Sequence, residues 1–260
     1  MLTRKELKNL FRLKTKKFRR KEQRFIVEGA RSIEELLGSD WQVELLLHCA
    51  SFEENAMIEN VLRKARQKGI PTEEIEREIL GRISDTVTSS GVVCIAKVKS
   101  ISEEEFLKKS PRTVLILDEV GDPGNLGTLI RTADAAGIGG VILSENTVEL
   151  YSPKVVRSSM GSIFHLDTAR TSDLAQFLSK LKKNGFKIVA SVVKNGESYY
   201  EMDYSGRICL VIGNEVEGVR DSVLKMADQM VSIPIYGKAE SLNASVAGGI
   251  LMYEIVGKNV

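Results

Sequence analysis

The sequence has few of the residues that build metal sites and disulfide frameworks. It holds two histidines and three cysteines in 260 residues, and no two cysteines form a CxxC pair. We therefore expect no metal site and no disulfides. We interpret Cys49, Cys94 and Cys209 as reduced core residues of a protein that resides in the cytoplasm.

Long apolar runs are also missing. No stretch of 18 apolar residues occurs, so no membrane span is expected. The N-terminal segment is basic and lacks the apolar centre of a secretory signal, so no leader is expected there. The hydrophobic content of 43% still suffices for a sizeable core, and the length suits one large domain or two small ones.

The small net charge of +2 conceals an asymmetry. Residues 1–24 carry 11 Lys and Arg against two Glu, whereas the remainder carries 26 basic and 33 acidic residues. The basic segment has two interpretations: a solvated, partly helical tail, or a contact for a polyanion such as RNA or DNA. The second is favoured.

The chain divides by pattern into an N-terminal domain (1–98), a polar linker with room for one short helix (99–112) and a C-terminal domain (113–260). Residues 25–98 alternate strands with helices, the last an acidic helix with Thr72 as its N-cap. In residues 113–260, nearly continuous apolar strands alternate with helices, which predicts a parallel sheet covered on both faces. One strand is predicted over GSIFHLD (161–167), and Ser172 is predicted to cap the helix that follows.

Ligands of parallel sheets bind beyond the carboxyl ends of the strands, so the loops that follow strands are the candidate sites. The first, in LDEVGDPGNLGTLIRTADAAG (117–137), fails both phosphate-binding patterns. Gly121 and Gly127 are separated by five residues, Thr128 replaces the lysine of a Walker motif, and the glycines do not follow GxGxxG. Asn125 is placed either to cap a helix or to meet a ligand. Arg131 either extends to solvent or is held for a phosphate or carboxylate.

Two further loops carry polar residues after strands. In LVIGNEVEGV (210–219), Glu215 follows a strand and suits either shaping a turn or receiving a substrate or cofactor group. In SIPIYGKAESLNASVAGGILMYE (232–254), Ser241 and Asn243 are both suitable N-caps for the last helix. That helix contains Gly248 and Gly249, which cost roughly 1 kcal/mol each relative to alanine and suggest close approach by a backbone or a ligand.

In this order, the three loops resemble the motifs of the SpoU-type (TrmH-like) RNA 2′-O-ribose methyltransferases of the SPOUT superfamily, over residues 113–257. The N-terminal stretch KKFRRKEQRFIVEGARSIEELL resembles the substrate-binding domain often fused to them. The resemblance implies an α/β fold with a C-terminal SPOUT domain, in which a parallel sheet flanked by helices contains a trefoil knot. It also implies a smaller N-terminal α/β/α domain that binds RNA.

The resemblance further implies S-adenosylmethionine (AdoMet) as cofactor, held mostly by backbone groups, and a homodimer in which one subunit's RNA-binding surface serves the other's pocket. DNA lacks the 2′-hydroxyl and is not expected to be a substrate. Carried over position by position, the cofactor-binding residues are Gly213, Ile233, Leu242, Ser191, Ile212, Asn214 and Pro234. The catalytic residues are Arg131, Asn125, Glu215, Ser241 and Asn243.

One departure from the family pattern concerns the second motif. It usually reads G-S-E-G-x-G and here reads G-N-E-V-E-G, so Asn214 and Val216 replace a small polar residue and a glycine. This puts the turn at Val216, and with it the affinity for the cofactor, in question.

Three other functions compete with methylation of ribosomal RNA. A tRNA substrate is less favoured because family members that act on tRNA often lack the N-terminal domain, and enzymes of large-subunit (23S) rRNA resemble this N-terminal unit most. A non-catalytic RNA-binding or ribosome-assembly protein on the same scaffold is disfavoured by the intact Asn125, Arg131, Glu215 and Asn243. A nucleotide-dependent α/β enzyme is disfavoured by the failed loop spacings.

Overall fold

The structure is a computed structural model that describes residues 2–52, 55–84 and 91–259. Its helices are α1 (Arg4–Arg12), α2 (Lys16–Glu22), α3 (Ala30–Gly38), α4 (Ala56–Gln67), α5 (Arg77–Ile83), α6 (Glu103–Lys108), α7 (Pro123–Ala136), α8 (Pro153–Ser158), α9 (Leu174–Lys183), α10 (Asp221–Leu224) and α11 (Ala244–Lys258). Its strands are β1 (Arg24–Glu28), β2 (Val43–His48), β3 (Thr72–Glu74), β4 (Val92–Lys97), β5 (Thr113–Leu117), β6 (Val141–Leu143), β7 (Thr168–Arg170), β8 (Phe186–Ser191), β9 (Glu197–Ser198), β10 (Arg207–Ile212) and β11 (Gln229–Ser232). Within the described ranges, no helix is long and apolar enough to cross a membrane.

The chain forms two compact units. The first comprises residues 1–99 and 149–165, and the second comprises residues 100–148 and 166–260. Residues 149–165 thus group with the first unit although they lie between two strands of the second. Residues 100–112, where the sequence predicts a linker, group with the second unit and contain α6.

The first unit has a four-stranded sheet in the order β1-β4-β2-β3, in which only β2 and β3 run parallel. The basic N-terminal segment is not a tail, because it forms α1 and α2 and contributes Leu10 and Leu13 to a buried cluster. A capping box between Thr3 and Glu6 starts α1. The buried Arg19 pairs with Glu149 and donates to the carbonyl oxygens of residues 13 and 14.

The second unit has a seven-stranded sheet in the order β7-β6-β5-β10-β8-β11-β9, and every pairing is parallel. This confirms the parallel α/β fold expected from the sequence. Its inner strands are apolar on both faces, and β5 and β10 are buried almost throughout. Because parallel strands place their carboxyl ends at one edge, the loops after β5, β8, β10 and β11 lie together there.

Two predicted elements were wrong. Thr72 caps no helix, since residues 72–74 form β3 against β2 and the helix begins only at Arg77. Pairing at the edge of the sheet has overridden the local helical pattern. Residues 161–167 form no strand: a 3-10 turn over Ser162–Phe164 follows Gly161, whose φ is +100°, and the strand comes later at Thr168–Arg170. The aromatic residue of this turn, Phe164, packs on Trp41 with ring centroids 5.4 Å apart.

One helix start differs from prediction, and a second decides between the two interpretations of Asn125. Asp173, not Ser172, caps α9 by accepting from the N–H of Gln176 at 2.9 Å. Asp122 caps α7 by accepting from the N–H of Asn125 at 2.8 Å. The side chain of Asn125 is therefore available for other contacts.

Candidate active site

A cavity of about 320 Å³ lies at the carboxyl edge of the parallel sheet. Its walls come from the ends of β8 and β10 and from the loops that follow β8, β10 and β11, and the first turn of α11 closes one side. The cavity is lined by Ser191, Val192, Val193, Ile212, Gly213, Asn214, Glu215, Val216, Glu217, Gly218, Val219, Leu224, Ile233, Ile235, Ser241, Leu242, Ala244 and Ala247.

Six of the seven residues predicted to bind a cofactor line this cavity, together with Glu215 and Ser241 from the catalytic set. Pro234 does not line it, whereas its neighbours Ile233 and Ile235 do. In extended chain, successive side chains point to opposite sides, so the two isoleucines face inward and the proline between them faces away. The same period-two pattern, readable in Ile-Pro-Ile, was the signal that would have identified Ile235.

The loop after β8, which the family resemblance implies closes the adenine side, and the thin side of α11 also contribute to the wall. Val192 and Val193 line the cavity from the loop, and Ala244 and Ala247 line it from the helix. The two alanines are three residues apart and so share one helix face. Small side chains there leave room for a ligand beside the backbone.

Gly213 is required by a close approach between two segments of chain. A Cβ atom at this position would lie 2.1 Å from the carbonyl carbon of Gly218 and 2.2 Å from the nitrogen of Val219. Both atoms belong to backbone, which cannot move aside as a flexible side chain would. No residue with a side chain fits at position 213 without displacing the loop after β10.

Glu215 joins that loop to the loop after β5. Its carboxylate accepts from the N–H groups of Gly121 (3.0 Å) and Asp122 (3.1 Å) and from Nδ2 of Asn125 (2.9 Å). Burial opposes ionisation of Glu215, but these hydrogen bonds outweigh it and hold its pKa below the ordinary value. The residue is therefore an anion at neutral pH and an acceptor of three donors.

The side-chain amide of Asn125 links Glu215 to α11 through two hydrogen bonds. Because Nδ2 of Asn125 faces Glu215, Oδ1 faces the other way and accepts from Nδ2 of Asn243 at 2.9 Å. Oδ1 of Asn243 in turn accepts from the N–H and Oγ of Ser245, at 2.9 and 2.6 Å, and caps α11. The carboxylate thus sets the orientation of both amides. Each amide keeps one further N–H for a substrate.

Asn214, one of the two departures in the second motif, builds the turn whose geometry was in question. Its Oδ1 accepts from the N–H groups of Val216 (2.9 Å) and Glu217 (3.2 Å), and its Nδ2 donates to the carbonyl of Glu119 (2.8 Å). Val216 lies at the tip of the turn with 92% of its surface exposed, and Gly218 supplies the positive φ of +73° that closes it. The asparagine therefore stabilises the turn that the family pattern makes with smaller residues.

A second interaction, between Asp118 and Arg220, also connects the loop after β5 with the loop after β10. Asp118, fully buried at the end of β5, accepts from Nε (2.9 Å) and Nη2 (2.6 Å) of Arg220 and from its backbone N–H (3.2 Å). Nη1 of Arg220 also pairs with Glu119 at 3.2 Å. The hydrogen bond to Asp118 raises the pKa of Arg220. This pair fixes both loops relative to the sheet edge.

Arg131 lies apart from this network. Six residues beyond Asn125, it is displaced by about 9 Å along α7 and by about a third of a turn around it. Its side chain is exposed and makes no hydrogen bond or ion pair within the described ranges. The structure therefore brings together Asn125, Glu215 and Asn243 of the predicted catalytic set, with Ser241 exposed on the cavity wall, and leaves Arg131 outside.

The two glycines of α11 are explained by α7. A Cβ at Gly248 would lie 2.4 Å from Cδ2 of Leu129, and one at Gly249 would lie 3.4 Å from Cγ2 of Thr132. The close approach expected at these glycines is that of a second helix, and its nearest atoms belong to side chains. The glycines let the two helices pack closely, which sets Asn125 and Asn243 side by side.

Comparisons with known proteins agree with this arrangement. Residues 112–253 match the SpoU rRNA Methylase family, and residues 4–94 match the MRM3-like substrate binding domain. A 23S rRNA (guanosine(2553)-2′-O)-methyltransferase, RlmP, from Bacillus subtilis is 36% identical over 252 residues, which cover 97% of this chain and 96% of the relative.

Two solved structures extend the comparison. An AdoMet-bound rRNA methyltransferase from Sinorhizobium meliloti is 31% identical with a TM-score of 0.85, and the match covers 98% of this chain and 95% of that one. A TrmH/SpoU tRNA-modifying enzyme from A. aeolicus is 30% identical with a TM-score of 0.52, and the match covers 61% of this chain and 84% of that one. The family match spans more than half of the chain and all three polar loops, and so the chain belongs to the SpoU rRNA Methylase family of RNA methyltransferases.

Proposed function

We propose that this protein transfers a methyl group from AdoMet to a ribose 2′-hydroxyl of large-subunit (23S) ribosomal RNA. The observation that carries the proposal is the amide pair Asn125–Asn243, which is oriented by Glu215, a residue that lines the cavity of about 320 Å³. The guanosine for which the Bacillus subtilis relative is named is the first target to test.

The cavity fits AdoMet by size and chemistry. Its volume falls within the range of small-molecule pockets, and isoleucine, valine and alanine side chains suit an adenosine. Two carboxylates, Glu215 and Glu217, also line it and attract a cation. When bound, AdoMet supplies a methyl group already activated by a sulfonium, so the chain's own residues need only align the hydroxyl and stabilise the alkoxide as the proton leaves.

In our proposal, the side-chain amides of Asn125 and Asn243 align the ribose. Their remaining N–H groups hold the ribose oxygens in this proposal, and Ser241 adds a hydroxyl from the cavity wall. Holding reactants in place is worth up to roughly 7–11 kcal/mol of the barrier. Glu215 is a positioning residue here, since its acceptor sites are taken by the loop and by Asn125.

Arg131 is assigned to the substrate phosphate. A guanidinium group stays protonated in proteins and is costly to deprotonate, so a role as general base is disfavoured. In our proposal it clamps the phosphate and stabilises the developing alkoxide, while phosphate or water takes the proton.

A homodimer is part of the proposal. Val246 and Tyr253 lie seven residues apart on one face of α11 and are 50% and 57% exposed, and Arg131 is exposed on the adjoining α7. A second copy packed on this face would cover the apolar side chains and bring Arg131 near a site built by its partner. Replacing Tyr253 with Glu should shift the protein to monomer in sedimentation experiments.

The first unit is assigned to RNA binding. Eight of the eleven basic side chains of residues 1–24 are exposed: Arg4, Lys5, Lys8, Arg12, Lys16, Lys17, Arg20 and Lys21. The match to a substrate-binding domain over residues 4–94 supports this role. We expect an affinity for RNA that falls steeply with salt. We further propose a cytoplasmic location, supported by three buried free cysteines, and a trefoil knot around β10 and β11, as in the family.

Transfer RNA is the alternative substrate. The match to the tRNA-modifying enzyme covers only 61% of this chain, whereas the matches to rRNA enzymes cover 97% and 98%. Ribosomal RNA is therefore favoured over tRNA as a substrate that needs the first unit.

The test is a methylation assay with methyl-labelled AdoMet and separate pools of unmodified 23S rRNA, 16S rRNA and tRNA. Alkali-resistant labelled dinucleotides should appear in the 23S pool. Label in the tRNA pool alone would support the alternative. Absence of label together with absence of AdoMet binding would favour a non-catalytic RNA-binding protein. Asn125→Asp serves as the inactive control, and Glu104→Gln, an exposed site on α6, serves as the active one.

A further inference from the structure

Glu119 has a backbone conformation that is uncommon for a residue with a side chain. It follows the buried Asp118 in the loop after β5, and its φ is +59°, in the left-handed region that favours glycine. Strained backbone of this kind persists only where the surrounding contacts hold it, and it is concentrated near functional sites. The contacts of Glu119 therefore indicate what the conformation serves.

The backbone N–H of Glu119 is held by the loop after β6. It donates to Oγ of Ser144 at 2.8 Å, and Ser144 is 1% exposed. The hydroxyl of Thr147 donates to the carbonyl oxygen of Leu117 (2.8 Å), so in its contact with Oγ of Ser144 (3.1 Å) it is the acceptor. Ser144 therefore donates to Thr147 and keeps its lone pairs for the N–H of Glu119.

The loop after β6 is itself firmly held. Arg170, on β7, donates to the carbonyl oxygens of residues 144, 145, 147 and 148 at 2.7–3.1 Å. The N–H of Val148 donates to the carbonyl oxygen of Val120 at 2.9 Å, which joins this loop to the residue after Glu119. Glu119 is thus attached to a fixed support.

The side chain of Glu119 is held from two directions. Its Oε1 accepts from Nδ2 of Asn146 at 2.9 Å and pairs with Nη1 of Arg220 at 3.2 Å. One carboxylate oxygen therefore meets a donor from the loop after β6 and a donor from the loop after β10. With both its N–H and its carboxylate fixed, Glu119 keeps its positive φ.

This conformation directs the carbonyl of Glu119 at residues 214–217, which we call the cavity turn. The carbonyl oxygen accepts from Nδ2 of Asn214 at 2.8 Å, and Oδ1 of the same amide accepts from the N–H groups of Val216 and Glu217. Because one planar amide makes all these bonds, the position of its Nδ2 sets the position of its Oδ1. All four residues of the cavity turn line the cavity, whereas Glu119 does not.

We propose that Glu119 is a positioning residue for AdoMet binding. Its constrained backbone orients Asn214, and Asn214 holds the cavity turn in the shape that receives the cofactor. The inference rests on the proposed assignment of the cavity to AdoMet. It also accounts for the departure in the second motif, because the turn that contains Val216 in place of a glycine is anchored from outside the cavity.

The first experiment measures the AdoMet affinity of the full chain by calorimetry. Glu119→Ala removes both contacts of Oε1, and we expect binding to weaken roughly three- to thirtyfold. Glu119→Gln keeps an oxygen for both donors and should stay within about twofold of wild type. Glu145→Ala, an exposed position in the loop after β6, is the matched control and should bind as the wild type does.

A double variant tests whether Glu119 acts through Asn214. Asn214→Ser loses the donor to Glu119, since one hydroxyl on a shorter side chain cannot occupy both positions of the amide, and it should weaken binding by a similar factor. Glu119→Ala combined with Asn214→Ser should bind no more weakly than the weaker single variant, because both changes break the same link. Independent effects on stability would instead add.

A second measurement needs no cofactor. Amide hydrogen exchange of a peptide that covers residues 214–219 should be faster in Glu119→Ala than in wild type and unchanged in Glu119→Gln. The reason is that the N–H groups of Val216 and Glu217 lose their acceptor when Asn214 is no longer oriented. A general loss of stability would instead speed exchange throughout the second unit.

Four results would overturn the inference: wild-type AdoMet affinity in Glu119→Ala, additive losses in the double variant, unchanged exchange of the cavity turn, or faster exchange throughout the second unit. Failure of the wild type to bind AdoMet would count against the assignment of the cavity. The exchange rates would still decide whether Glu119 holds the turn, so the two failures are distinguishable.

Discussion

Oδ1 of Asn125 accepts a hydrogen bond from Nδ2 of Asn243 at 2.9 Å, across 118 residues of sequence. The direction of this bond is imposed by Glu215, which accepts from Nδ2 of Asn125 and so turns Oδ1 of that amide toward Asn243. A carboxylate that never needs to touch the substrate thereby decides which amide groups face it.

Asn243 has two tasks that substitution separates. Asn243→Asp keeps an oxygen to cap α11 but loses the donor to Asn125, so we expect near-normal stability and a large loss of methyl transfer. Asn243→Ala loses both the cap of α11 and the donor to Asn125, so its free energy of unfolding should also be lower by about 1 kcal/mol. Urea unfolding and single-turnover rates measure the two effects. Full activity in the aspartate variant would show that the link to Asn125 is dispensable.

The contribution of Glu215 to stability should depend on pH. Its folded pKa lies below the ordinary value of about 4.3, so the stabilisation is complete above that pH and is lost as pH falls through the folded pKa. At pH 7 the urea concentration at the unfolding midpoint should therefore be higher for the wild type than for Glu215→Gln. This difference between the two midpoints should become smaller below about pH 4. Glu104→Gln should show no such gap, and a constant gap for Glu215→Gln would contradict the assignment.

Arg131→Lys tests the phosphate clamp. Lysine keeps the charge but lacks the planar fork of donors, so we expect at least a tenfold lower single-turnover rate with RNA affinity within about threefold of wild type. Filter binding and rapid-quench assays measure the two quantities, with the exposed Arg66→Lys as the matched control. Wild-type rates in Arg131→Lys would exclude the clamp.

Gly213→Ala should damage the cavity. The added methyl group would lie within 2.3 Å of three backbone atoms of residues 218 and 219, so the loop must shift. We expect a destabilisation of about 1–3 kcal/mol and at least tenfold weaker AdoMet binding by calorimetry. Gly257→Ala, whose new methyl group meets nothing within 4 Å, is the control. Unchanged AdoMet affinity would rule out the close approach at Gly213.

The first unit should not be removable by cutting at residue 99. Val155, Val156, Ile163 and Phe164 are buried in that unit although they follow β6 of the second. Deleting residues 1–99 exposes them at a cost of about 1.5–3 kcal/mol each, so the fragment should aggregate. The same deletion with Val156→Thr, Ile163→Thr and Phe164→Ser should be more soluble in gel filtration. A soluble, monodisperse simple deletion would refute this expectation.

Residue patterns along the chain were enough to predict the local and repetitive features of this protein. Apolar runs between helices predicted the parallel sheet, because strands buried on both faces need no polar alternation. Ser241 and Asn243 were both recognised as suitable caps for α11, because short polar side chains satisfy the free N–H groups of a first turn, and Asn243 is the cap. The three polar loops pointed to the site because they follow strands that end at one edge.

The contacts that those residues make with one another depend on the long-range packing of the fold. Glu215 meets Asn125 from 90 residues away, and no local pattern encodes that contact. Thr72–Glu74 became a strand because β2 offered an unpaired edge, and residues 161–167 became a turn because Phe164 had an aromatic cluster to enter. Local propensities amount to tenths of a kcal/mol per residue, and the pairing and burial that the whole fold supplies outweigh them.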